Sequence, residues 1–325
     1  KGTLLKQTLQ SISAKSTSLK TDLQAKCQKW IHDIKLNHNE ITLLAAKTID
    51  QSKSQLWHEE RRKRLTASNF GSICKSKSNI SLGKNVEKIL YKSNFQCAAT
   101  EYGVKNEVVA LDAYCKQYPH IIVSRTGLVV DEILRFLACS PDALADQDGI
   151  IEIKCPFSII SLNLTEAISN GLLSFYSRKE NLLQNHLYYF QVQGTLSITN
   201  RDWCDFVVFT SSGLHVERIH RDNLSWKKNM LDLLVEFYLF YLLPEIVETV
   251  HPQPIERREW NSSGIIDPKL AEPDSKTLVK RHPNGLIQNR NYYKKFEKYG
   301  KYVVCKFNLL LNKNLTIDDF STLTG

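Results

Sequence analysis

Apolar residues recur along this chain with two different periods, and the order in which the periods alternate predicts its elements. Residues 4 to 35 alternate Leu, Ile, Lys and Ser in a helix-compatible pattern, and 39 to 65 read as further helix opened by Ser or Thr start signals. The chain is thus expected to enter through a helical N-terminal extension, residues 1–52. Residues 101 to 118 carry Val104, Val108, Leu111, Cys115 and Tyr118 at helical spacing, a stripe expected to be buried. From Ile121 to Phe157 the chain is rich in β-branched residues and broken at Thr126-Gly127 and Asp148-Gly149, which predicts a run of strands. A long helix is expected across about 180–199. Trp203 to Thr210 and Leu214 to His220 then form a strand pair joined by Ser211-Ser212-Gly213. Trp226, Met230, Leu233, Phe237 and Tyr241 mark a buried helix face, which Pro244 should kink or end. After His251 the pattern loosens, and no internal repeat is present. Helix, strands, helix, strands, helix predicts an α/β fold, a mixed β-sheet flanked by helices, with its central domain over residues 53–250.

Charge and cysteine usage narrow the class. The formal net charge of +9 favours a polyanionic partner, because clustered Lys and Arg displace counterions from phosphates. The eight cysteines stand singly, with no CxxC pair and no Cys/His cluster at zinc spacing, which argues against structural zinc or iron–sulfur ligation and for buried reduced thiols. An intracellular, reducing location follows as an expectation, the nucleus included if the source is eukaryotic. The most apolar run, Leu231 to Leu243, is shorter than the ~20 residues of a membrane span and contains Asp232 and Glu236, so no membrane role is expected. The chain opens on Lys1 and holds a single methionine, Met230, as a fragment of a longer protein would.

The stretch SPDALADQDGIIEIKCP carries the chemistry. In GIIEIK, period-2 alternation places Ile151 and Ile153 on one strand face and Glu152 and Lys154 together on the other. The Gln147-Asp148-Gly149 turn can fold the preceding segment back, so that Asp142 meets them. Two carboxylates and a lysine suit phosphodiester hydrolysis. The carboxylates are hard oxygen ligands for Mg²⁺, with Mn²⁺ the other option, and the lysine can orient water or offset developing charge. The same alternation also fits an ordinary solvated sheet face.

Five motifs carry a resemblance: Trp57 to Ser68 (W-H-x-x-R-x-x-x-x-T-A-S), Gly103 to Glu107 (G-x-x-x-E), Cys139 to Asp142 (C-S-P-D), Glu152 to Phe157 (E-I-K-C-P-F) and Gln191 to Gln193 (Q-V-Q). In this order they resemble the YqaJ-like viral recombinase family of PD-(D/E)xK nucleases. The resemblance covers about residues 57–193 and, more loosely, runs to about 250. It implies a restriction-endonuclease-like core and a Mg²⁺-dependent DNA exonuclease acting 5′-to-3′ on double-stranded ends. It further implies metal binding by Asp142, Glu152 and Glu107, a catalytic Lys154, a glutamine beside them at Gln191, and a 5′-phosphate grip of Arg61, Ser68 and Ser140. A homo-oligomer and cooperation with a strand-annealing protein are implied with it. Ala143 stands where the family has Gly, and the acid of the strand before SPD has two claimants, Asp131 and Glu132.

Read from the residues alone, each assignment has an ordinary alternative. Glu107 shares a helix side with Gly103 and Ala110 and would point inward, where an acid also pairs with Arg or Lys. Gln191 also fits a solvated helix face. Thr66 or Ser68 also fits a plain helix cap, and Arg62, Lys63 and Arg64 a solvated basic run. Cys139 and Cys155 flank the triad as small buried fillers. From Lys276 to Lys306 nine Lys or Arg face one acid, Glu297, with Tyr292, Tyr293, Phe296, Tyr299 and Tyr302 interleaved. Arg290, Lys294, Lys295, Lys298 and Lys301 of this segment, within a basic aromatic tail over 251–325, are candidates for holding nucleic acid. They equally fit a segment packed on the core or a partner. The rival to catalysis is a DNA-binding or scaffold module that keeps the nuclease fold without turnover; an iron–sulfur relative would need the clustered cysteines this chain lacks.

Overall fold

The computed structural model describes residues 23–249 apart from 24, 92–96, 161 and 180. The basic segment with Arg290, Lys294, Lys295, Lys298 and Lys301 lies outside the described residues, as do residues 4–22 of the expected N-terminal helix. Residues 25–33 are helical. The chain divides into two compact units, one running Leu36–Glu236 and one holding the described parts of Lys1–Lys35 and Phe237–Gly325. Among the described residues no helix is long and apolar enough to cross a membrane.

The Leu36–Glu236 unit is mixed α/β. Its described strands are β1 (Leu65–Thr66), β2 (Val123–Ser124), β3 (Val129–Val130), β4 (Leu137–Cys139), β5 (Ala143–Ala145), β6 (Gly149–Lys154), β7 (Trp203–Thr210) and β8 (Gly213–His220). Its described helices include α1 (His38–Lys47), α2 (Gln55–Arg62), α3 (Ala67–Cys74), α4 (Asn79–Leu90), α5 (Ala98–Gln117), α6 (Leu164–Ser169) and α7 (Leu187–Thr199), and helical turns follow from Asn223. The larger sheet has the order β2-β5-β6-β7-β8, antiparallel throughout except for the parallel pair β6–β7; a smaller one has the order β1-β4-β3.

Alternation divides the larger sheet's core in two. Ile150, Cys204, Phe206 and Val208 pack with Val192 and Leu196 of α7. Ile151, Ile153, Val207 and Phe209 pack with Ala110 and Tyr114 of α5. Both faces of β6 are therefore covered, and its sequence GIIEIK is buried from Gly149 to Ile153. The hairpin expected at Gln147-Asp148-Gly149 forms, pairing Ala143 with Ile151 and Ala145 with Gly149. Ala143 takes the family's Gly position without penalty because it sits in regular, fully buried strand where no left-handed φ is required.

Five expectations need correction. The helix read over 39–65 is broken: Gln51 takes a left-handed φ of 43°, Ser54 caps α2, and β1 begins at Leu65. Gln51 holds this conformation by donating its Nε2 to the carbonyls of Thr126 (3.0 Å) and Pro141 (2.9 Å), long-range bonds that local propensity cannot register. On α5 the stripe is rotated, for Val104 and Val108 are 54 % and 64 % exposed while Ala110 and Tyr114 are buried. Tyr114 covers more apolar surface than either valine, and its hydroxyl finds a buried partner in Asp205. The helix expected from 180 starts at Leu187, where the His186 side chain accepts the Tyr188 N–H. Arg64 is not solvated but fully buried, its guanidinium on Glu60 and on the Arg135 carbonyl (2.9 Å). Pro244 does not end its helix. It lies in the first turn of Leu243–Thr249, just after a π-helical turn over Tyr238–Leu242, where its missing N–H costs little.

α3 and α7 approach closely at two glycines. A Cβ on Gly194 would lie 2.3 Å from the Phe70 ring, and one on Gly71 would lie 2.7 Å from the Leu187 Cα. The approach sets the start of α3, with Ser68, beside the helix that carries Gln191.

Candidate active site

The described candidates come from several elements, and backbone geometry explains how they meet. Glu152 and Lys154, two apart on β6, share the face turned to α7. The Lys154 Nζ donates to Glu152 Oε1 (2.5 Å), and Gln191 Nε2 from α7 donates to the same oxygen. Gln191 is thus not an idle solvated side chain. Asp142, just ahead of β5, accepts the Ile153 N–H on its Oδ2 (2.6 Å), while its own N–H bonds the Ile151 carbonyl (3.2 Å). The loop that carries Asp142 is fixed from behind by the Gln51 bond to Pro141. Gln51 is a positioning residue that no local sequence signal marked. Glu107 reaches the group from α5, half-buried on the same side as Ala110.

Electrostatics bind these side chains into one group. Burial, followed by the charge of Glu152, pushes the Asp142 carboxyl well above the usual carboxylate range, against the pull of Lys154 and the Ile153 N–H. Burial likewise raises Glu107, with Lys154 lowering and Glu152 raising it. Burial works against the Lys154 ammonium, but Glu152 and Asp142 outweigh it and hold the lysine above its ordinary value. Its Nζ also lies 4.8 Å from the Tyr188 ring centroid. Cys155 is pushed up to about 12, first by burial and then by Glu107 and Asp142, so it is an inert thiol that packs beside the site. Cys139 is fully buried, as expected of a filler.

Three carboxylates around one lysine leave an excess of negative charge, and hard oxygen donors under such repulsion fit a divalent cation. The acids feel one another's charge without being closed around one point: among the described residues no three His, Cys, Asp or Glu side chains are gathered tightly enough to hold an ion. A pH dependence follows. A carboxyl whose folded pKa is raised binds more protons in the fold than in the unfolded chain, so stability falls as pH rises from the ordinary carboxylate range, near 4, upward. In chelator the melting temperature is expected to drop across that window, and saturating Mg²⁺ should offset the drop. Asp142→Asn should flatten the chelator profile, measured by thermal melts from pH 4 to pH 8; an unchanged slope would mean that Asp142 does not cause it.

The second candidate group is also assembled. The Arg61 guanidinium lies 4.1 Å over the Trp57 ring and donates from Nη2 to Ser68 Oγ (3.3 Å), and Trp57 Nε1 donates to Ser140 Oγ (2.9 Å). Thr66 is the N-cap residue of α3, yet its side chain makes no capping bond; its Oγ1 lies 3.2 Å from Ser68 Oγ. Arg61, Ser68, Ser140 and the start of a helix therefore surround one spot, two residues from Asp142. Of the two further acids, Asp131 accepts the Ile133 and Leu134 N–H groups (2.9 and 2.6 Å) and Glu132 pairs with His38 (2.6 Å). Both are engaged elsewhere.

Fold and site together define an α/β domain in which a P-D turn and an E-x-K strand bring two acids and a lysine to one place. Residues 56–202 match the model of the YqaJ-like viral recombinase domain. Among solved structures, the chain is similar to the alkaline exonuclease LHK-Exo of Laribacter hongkongensis, at 22 % identity and a TM-score of 0.46 over 61 % of this chain and 96 % of that one. It is also similar to a phage-related exonuclease from Haemophilus somnus 129PT, at 15 % identity and a TM-score of 0.37 over 57 % and 96 %. No curated protein matches the chain.

Proposed function

We propose that this chain is a divalent-metal-dependent deoxyribonuclease that hydrolyses phosphodiester bonds from the 5′-phosphorylated end of duplex DNA. The observation that carries the reading is the meeting of Lys154 and Gln191 on one oxygen of Glu152, with Asp142 and Glu107 electrostatically tied to the same centre. Asp142, Glu152 and Glu107 would hold the cation, Mg²⁺ by the hardness of the donors, with Mn²⁺ as a substitute. When bound, it supplies charge neutralisation at the scissile phosphate and activation of water. Lys154, held as an ammonium, donates to the phosphate oxygens where charge develops. Gln191 fixes the Glu152 carboxylate.

Polarity rests on the second group. Arg61 has no carboxylate close to its guanidinium among the described residues, and burial is what lowers its pKa, to about 10, so it stays cationic at neutral pH. A cation stacked on Trp57, two hydroxyls and a helix start form a seat for a terminal phosphate. The test is Mg²⁺-dependent digestion of linear duplexes carrying a 5′-phosphate or a 5′-hydroxyl. Wild type should prefer the phosphate. Arg61→Ala should lose about 10- to 100-fold on phosphorylated ends, the worth of a charge-assisted bond, and little on hydroxyl ends. Equal effects on both would remove the end-binding role, and no digestion by wild type across metals and substrates would remove the enzyme.

A further inference from the structure

Beside the charged centre lies an aromatic surface that none of the chemistry above uses. Phe157 follows Lys154 by three residues, no more than about 11 Å along the chain, and its side chain is 45 % exposed. It is held rigidly. Pro156 precedes it at a φ of −72°, the turn Phe157–Ile159 buries Ile159 behind it, and Tyr102 of α5 meets its ring edge-on at a centroid distance of 5.7 Å and 67°. Tyr102 in turn neighbours Cys155, which feels Glu107 and Asp142, so the ring pair borders the proposed reaction centre. Gly103 comes next on α5, one turn before Glu107. A Cβ there would meet nothing within 4 Å, so no internal packing calls for glycine at a helical position where alanine is the better former. The open space lies on the side of α5 that Gly103 shares with Glu107, one turn further on.

We propose that Phe157, backed by Tyr102 and left accessible by Gly103, is a stacking platform for a nucleobase of the strand being cut, next to the scissile phosphate. This rests on the nuclease reading above and adds a base-binding subsite to it. Stacking suits the position. An exposed, preorganised ring loses little freedom on binding, and every base offers a π face, so the platform grips DNA without choosing sequence. Gly103 leaves room for the nucleotide to pass over α5.

The experiment uses the full chain and duplexes with a 5′-phosphate. With Mg²⁺, Phe157→Ala should raise KM about 5- to 10-fold with kcat within about twofold, and Phe157→Tyr should restore it. Gly103→Leu should raise KM similarly without lowering the melting temperature, since the added side chain meets open space in the free protein. In a Lys154→Ala chain that binds without cutting, 2-aminopurine at one of the first positions should be quenched on binding, and the quench should vanish with Phe157→Ala. Digestion by wild type with KM unmoved in both variants and no Phe157-dependent quench would overturn the platform and leave the nuclease standing. Absence of digestion by wild type would overturn both.

Discussion

Lys154→Ala is expected to lower the rate of duplex digestion by about 10²- to 10³-fold, the cost of removing one preorganised donor from a developing oxyanion. The ammonium is half-buried, lies 2.5 Å from Glu152 and sits over the Tyr188 ring. Glu152 and Asp142 raise its pKa, so in the metal-free protein the lysine is held as an ammonium. Because it acts as a donor in that form, the loss should be nearly independent of pH between about 6 and 9. Lys154→Arg should recover only part of the rate, because a planar fork does not replace a compact charge in a pocket shaped by Gln191 and Tyr188. Single-turnover rates at saturating Mg²⁺, with melting curves as a folding control, provide the check. A well-folded Lys154→Ala chain that cuts at the wild-type rate would remove the lysine from the mechanism.

Arg218→Ala should be the most destabilising of these substitutions, by about 3–5 kcal/mol and nearer the lower figure, since it breaks an ion pair whose acid is buried and whose arginine is partly solvated. Asp205 lies at the centre of β7 with only 2 % of its surface exposed. Arg218, directly across from it on β8, donates Nε and Nη2 to its two oxygens at 2.8 Å each and stacks 3.7 Å over Trp203. The Tyr114 hydroxyl donates to Asp205 Oδ2 (2.5 Å), and Asp205 and burial together raise the tyrosine's pKa so that it remains a donor. Deleting Arg218 leaves a buried carboxylate with the tyrosine as its remaining side-chain partner. Tyr114→Phe removes only one neutral donor and should cost about 1 kcal/mol. Because Tyr114 stands roughly two turns beyond Glu107 on α5, this network also fixes the helix that brings Glu107 to the reaction centre. Urea unfolding at neutral pH measures both variants; an Arg218→Ala chain within about 0.5 kcal/mol of wild type would mean that Asp205 is held by other groups.

Much of the site was legible because it is local. Asp142, Glu152 and Lys154 lie within one hairpin, where the two-residue period and the Asp148-Gly149 turn decide which side chains meet, and both are written in consecutive residues. The strand pair after Trp203 was legible for the same reason. The buried setting of the triad was not. Alternation equally fits a solvated face, and only the packing of α7 and α5 on opposite sides of β6 removes water from Glu152 and sets its neighbours' ionisation. Glu107, Gln191, Arg61, Ser68 and Ser140 are marked in the sequence only by the order of motifs, a resemblance to a family and not a consequence of periodicity or turn chemistry.

The sequence by itself determined the α/β order of elements, the charged hairpin and the residues eligible for chemistry, since these depend on periodicity and turn chemistry over a few residues. The tertiary structure decided which face of α5 turns inward, where the helix after Lys47 breaks, that Arg64 and Asp205 are buried, and that Gln51 steadies the loop before Asp142. Each of these depends on a partner about 13 to 91 residues away in sequence, Asp205 with Arg218 the nearest and Tyr114 with Asp205 among the farthest. Burial of a polar group is tolerable only where such a partner exists, and no window of neighbouring residues contains it.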